Sequence, residues 1–88
     1  MVQIIFYSDP GHGWGKVSRS IIGKLNLEEK ISPYSYQKDG YVYLEEDVDL
    51  GVLISTLKAE EIAYTITKRD PSERPSRIRN YSPFRPRA

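Results

Sequence analysis

Residues 7 to 16 read YSDPGHGWGK and hold three glycines, a proline, the chain's single histidine and its single tryptophan. These types suit anion and ring recognition. Glycines at 11, 13 and 15 carry no Cβ, so a ligand can approach their backbone N–H groups closely. Trp14 offers a flat ring face, His12 and Asp9 offer a polar edge, and Ser8 adds a hydroxyl. This segment is expected to leave a strand and enter a helix, so the free N–H groups and positive dipole of the helix start favour a phosphate. The spacing matches neither GxxxxGK[ST] nor GxGxxG. As a turn alone, Asp9-Pro10-Gly11 is good connector chemistry and Trp14 a lid on a small core.

A second set lies near the C-terminus, in SRIRNY, residues 76–81. Arginine's planar fork binds phosphate or carboxylate with two hydrogen bonds and stacks on aromatic rings. Alternation would turn Arg77, Arg79 and Tyr81 in one direction. With Tyr36 from the middle of the chain, these groups suggest a nucleotide-like anionic ligand held between the glycine loop and the arginine segment. Gly11, Gly13, Arg77 and Arg79 would hold phosphate, and Trp14 or Tyr36 would stack on a base. The opposing reading is a solvated basic tail paired with an acidic body.

Glu45, Glu46, Asp47 and Asp49 place four carboxylates in five positions. They lack EF-hand spacing, and acids at a helix start favour its dipole, so no metal site is expected. The cluster could instead meet a basic patch on a protein, such as a nuclease or polymerase. His12 beside Asp9 would serve a small phosphoester hydrolase, but one histidine without a serine or cysteine nucleophile makes a binding protein without turnover the leading expectation. No catalytic residue and no cofactor is assigned.

These groups need a scaffold, and 88 residues allow one domain with a modest core, for which a homo-oligomer is expected as added buried area. The chain has no cysteine, which excludes disulfides and thiol chemistry. It has no apolar run of membrane length and no leader-like N-terminus, so a cytoplasmic protein without membrane contact is expected. The net charge of +1 is asymmetric. Residues 1–68 carry seven basic and ten acidic side chains, a net −3. Residues 69–88 carry six arginines and two acids, a net +4.

The pattern predicts an α+β domain over 1–68. VQIIFY is a buried strand. Ser18 caps a helix with apolar Val17, Ile21, Ile22 and Leu25, ending at Asn26. Lys38-Asp39-Gly40 joins two alternating aromatic strands as a hairpin, with Tyr41 and Tyr43 on one side. Asp47 or Asp49 caps a second helix with Leu50, Leu53, Ile54 and Leu57 as its stripe, and AYTIT is a last strand. That is the βαββαβ order of a ferredoxin-like domain, a small antiparallel sheet with two helices. Residues 69–88, with four of the six prolines, read as an extended arm that is disordered or docked.

YSDPGHGW, SPYSYQ, YVYLEEDVDL and SRIRNYSPF together resemble a family of small proteins encoded by bacteriophages and prophages, over most of the chain through Phe84. The resemblance implies a context rather than an activity. Such proteins often act against host defence in the host cytoplasm, by blocking a defence enzyme or sequestering a nucleotide signal.

Overall fold

The computed structural model describes residues 1–87; the last position of the expected arm, 88, lies outside the described residues. Seven main strands and helices run in the order β1 (Val2–Ser8), β2 (Gly13–Ser18), α1 (Arg19–Lys24), β3 (Tyr36–Lys38), β4 (Tyr41–Glu45), α2 (Asp49–Ala59) and β5 (Tyr64–Lys68). A 3₁₀ turn (Arg77–Asn80) and a short strand β6 (Ser82–Pro83) follow. The α+β class holds, but the sheet has six strands, in the order β5-β1-β2-β4-β3-β6. It is not the four-stranded ferredoxin-like sheet expected. The reason is the segment GWGKVS, which is a strand and not a glycine-rich approach to a helix. It folds back on β1 as a hairpin, Ser8 opposite Gly13 and Ile5 opposite Lys16. The extra reversal makes β5 pair with β1 in parallel, whereas β2–β4 and β3–β4 are antiparallel.

GWGKVS escapes notice as a strand because its core-facing positions are Gly13, Gly15 and Val17. Both glycines are set by packing. A Cβ on Gly15 would lie 2.6 Å from a Leu50 methyl, and one on Gly13 would lie 2.4 Å from the Phe6 ring. The backbone here is approached by the protein's own core, not by a ligand.

Local signals account for most other elements. Ser18 accepts a hydrogen bond from the Ser20 N–H and starts α1. Asn26 and Glu61, both at positive φ, close the two helices; Leu27 N–H reaches the Ile22 carbonyl, and Ile62 N–H reaches the Leu57 carbonyl. Asp39 and Gly40, φ 51° and 83°, form the two-residue turn between β3 and β4. The start of α2 differs from expectation. Neither Asp47 nor Asp49 caps it. Val48 occupies the cap position, and the Glu45 carboxylate accepts the N–H groups of Asp47, Val48 and Asp49 at 2.7–2.8 Å. Asp49 is buried and accepts from Ser32 and Ser35.

One sheet face carries Ile4, Val17, Val42 and Leu44 and is covered by Ile22 of α1 and Leu50, Leu53 and Leu57 of α2. The other face carries Tyr7, Trp14, Tyr43 and Tyr36 and has no helix over it. The C-terminal segment covers it instead. The chain leaves β5 beside β1, with Arg69 and Ser72 N–H groups donating to the Phe6 and Ser8 carbonyls. It crosses the aromatic face at Ile78 and Tyr81, then pairs with β3 at the far edge. Phe84 then enters the helix-side core at 2 % exposure. The arm expected to be extended is the second covering layer of the domain.

Candidate functional site

The turn between β1 and β2, residues 9–12, is a cradle for an anion, and its anion is internal. One Asp9 carboxylate oxygen accepts the Gly11 and His12 N–H groups, each at 3.0 Å. The other accepts the Ser76 N–H at 2.8 Å. Arg79 binds the same carboxylate with both prongs, Nε at 2.6 Å and Nη2 at 2.8 Å. The Asp9 side chain is fully buried, and Arg79 holds its carboxyl well below the usual carboxylate range, helped by the three backbone N–H groups against the pull of desolvation. Asp9 in turn raises Arg79. Of the glycine N–H groups assigned from sequence to a phosphate, that of Gly11 is thus engaged by Asp9, and Gly13 begins β2. A side chain on Gly11 would stand 2.9 Å from Arg79 Nη2, so the turn stays narrow to admit the guanidinium.

This latch places Arg79 over Trp14, with its guanidinium carbon 5.6 Å from the ring centroid. Trp14 is 2 % exposed and lies edge-on to Tyr36 at 6.4 Å and tilted to His12 at 6.1 Å. Beside these rings opens a cleft of about 510 Å³, lined by His12, Trp14, Tyr34, Tyr36, Asp47 and Arg79, with Ser32, Glu45 and Val48 completing it. Its lining residue Ser32 belongs to a network with Ser35 and Asp49, in which Ser35 Oγ also accepts the Glu45 N–H at 2.9 Å. The Glu45 carboxylate is spent on the α2 N-terminus. Tyr34 stands at the rim, 81 % exposed, and Val48 is exposed beside it.

Of the residues singled out from sequence, His12, Trp14, Tyr36 and Arg79 therefore share one cleft. Asp9 and Gly11 support it from behind. Gly13 is a packing position, and Ser8 ends β1 with its carbonyl holding Ser72. Arg77 and Tyr81 do not join this group. They line a separate cavity of about 690 Å³ with Tyr7, Lys16 and Tyr43. The two arginines diverge because residues 77–80 form a 3₁₀ turn, not the extended ladder whose alternation would align them.

Tyr34, Asp47 and Val48 escaped the sequence reading of the first cleft, and Lys16, Tyr7 and Tyr43 that of the second. A signal existed for the second set: Tyr43 alternates with Val42 and Leu44, so its side had to be the one away from the helices. Tyr34 gave only its aromatic type. Among the described residues no group of three histidine or acidic side chains is placed to hold a metal ion, and no helix is long and apolar enough to cross a membrane. Comparison of the chain with protein-family models, curated proteins and solved structures finds no match.

Proposed function

We propose that this protein binds a nucleotide-like ligand without turning it over, with the base seated in the Trp14 cleft. One observation carries the reading. An open cleft presents Tyr34, Tyr36 and His12 around a buried tryptophan, with a carboxylate and a guanidinium on its wall. Exposed aromatic surface at a concave site is where a flat ring gains most from stacking. Asp47 accepts from an amino or ring N–H, and Arg79, whose Nε and Nη2 are held by Asp9, donates through Nη1 to a carbonyl or ring nitrogen. A nucleobase carries both kinds of edge.

Binding rather than catalysis is favoured by the state of Asp9. It accepts five hydrogen bonds and is held ionised, so it is unsuited to exchange a proton with the neighbouring His12. In the phage setting that the sequence resemblance implies, the role would be to sequester a signalling nucleotide of host defence.

Calorimetry against a panel of cyclic dinucleotides and ADP-ribose derivatives tests this. The expected result is saturable binding by at least one of them. In Tyr34→Ala that binding should weaken by about 5- to 150-fold, the range of one base–aromatic stack, with unchanged thermal stability because the ring is exposed. No heat from any of the panel at about 50 µM protein, enough to detect micromolar affinity, would overturn the proposal.

A further inference from the structure

The second cavity differs in kind from the first. It lies on the sheet face that carries Lys16, on the other side of the 3₁₀ turn from Arg79, and no aspartate or glutamate lines it. Its charged residues are Lys16 and Arg77. Among the described residues, the ion pairs Arg79–Asp9 and Arg19–Glu28 engage neither of them. Lys16 sits on the central strand β2, between Ile5 and Tyr43 in register. Its Nζ is held 4.1 Å over the Tyr41 ring and 5.9 Å from that of Tyr43. Lys16 is thus a half-buried residue in the middle of a sheet whose ammonium lies against tyrosine ring faces.

Hydroxyls converge on the same space. The Tyr43 ring lies 5.1 Å from that of Tyr81 and 6.5 Å from that of Tyr7. Burial first, then the neighbouring Tyr81 and Tyr7, and last the Asp39 carboxylate, push Tyr43 up to about 12. It therefore stays a protonated donor throughout the neutral range. Asn80, Ser72 and Ser76 line the cavity as further polar groups. Two cations and several donors lining one space, with no carboxylate among the lining residues, are the recognition chemistry of an oxyanion.

We propose that this cavity binds the phosphate group of a small phosphorylated molecule, with Lys16 and Arg77 supplying the charge and the tyrosine hydroxyls the hydrogen bonds. The volume of about 690 Å³ exceeds what a phosphate group alone fills, so the ligand includes a sugar-sized body. The inference rests on residues other than those of the Trp14 cleft and does not require that cleft to bind a base.

The test is an amide NMR titration of the full chain at about pH 7.5, where phosphate is mainly dianionic, with inorganic phosphate and with ribose 5-phosphate. Ionic strength is held constant with sodium chloride. The expected result is saturable shifts at Arg77, Asn80 and Tyr81, with ribose 5-phosphate binding more tightly. Arg77→Gln, whose side chain is exposed and which keeps the fold, should weaken binding by about tenfold or more. Lys16→Gln should act similarly, and Tyr34→Ala should leave the shifts intact. Shifts that fail to saturate, that concentrate on Arg85 and Arg87, or that survive Arg77→Gln would overturn the proposal. Ribose 5-phosphate binding no better than inorganic phosphate would overturn the assignment of a sugar-sized body. Loss of ring binding in Tyr34→Ala with phosphate shifts retained separates failure of one site from failure of the other.

Discussion

Phe84→Ala removes the side chain that anchors the end of the C-terminal strap. Phe84 sits in a proline- and arginine-rich stretch that composition reads as disordered or docked, and its ring is 2 % exposed among the helix-side core residues. Its N–H donates to the Ser35 carbonyl at 2.8 Å, and the Arg19 guanidinium carbon stacks 4.5 Å from its ring. Truncating a buried phenylalanine to alanine costs about 3–5 kcal/mol, from lost transfer energy and the cavity left behind. A domain of this size has only about 5–15 kcal/mol in total. At roughly 4–8 °C per kcal/mol, the melting temperature should fall by about 12–40 °C. Thermal unfolding followed by far-UV circular dichroism measures this directly. Arg74→Ala, an exposed change in the same segment, should leave stability within about 0.5 kcal/mol. If Phe84→Ala also stayed within that margin, the strap would not be part of the core, and the clefts formed on either side of it would lose their wall.

Two further outcomes follow from the fold. Asp9→Asn breaks the latch between the first hairpin and the strap. The folded-state carboxyl of Asp9 lies below its unfolded value of 3.8. Its contribution is therefore fully present above about pH 5 and lost as pH falls through 4 towards the folded value. Urea unfolding should show the variant less stable than wild type at neutral pH, with the gap narrowing below about pH 4; a gap independent of pH contradicts the assignment. Gly15→Val places branched carbons where even a Cβ would lie 2.6 Å from Leu50, and overpacking of this kind costs about 1–3 kcal/mol. A variant as stable as wild type in denaturant would show that Gly15 is not a packing position.

Sequence reading succeeded where the controlling chemistry was local. Asp39-Gly40 dictates its hairpin because positive φ is needed at two adjacent positions, and both residues tolerate it. Ser18, Asn26 and the leucines of α2 are likewise legible within one turn of their effect. What failed was long-range. In GWGKVS the alternation is present, but two of its three inward positions are glycines, which erases the hydrophobic half of the signal. Their cause is Leu50 and Phe6, residues distant in sequence or on the facing strand. Asp9 and Arg79 are separated by 70 positions, so nothing near Asp9 reveals that the loop's anion is its own side chain. The strap contains only scattered apolar residues, Ile78, Tyr81 and Phe84, without a period. They suffice because the aromatic sheet face lacks any helix and needs only a thin cover. Of the candidate ligand residues, His12, Trp14, Tyr36 and Arg79 line one cleft. Arg77 and Tyr81 diverge because the tail adopts a 3₁₀ turn at that point.

Trp14 is the chain's single tryptophan and lies against the cleft to which a base is assigned, so its emission reports that site without a label. Titration of the full chain with cyclic dinucleotides and ADP-ribose derivatives, read at the tryptophan band, is the most direct measurement. A saturable change in intensity or wavelength is expected with at least one of them, shifted to higher ligand concentration in Tyr34→Ala. A ligand that binds by calorimetry while the Trp14 emission stays flat would place the base elsewhere and contradict the assignment.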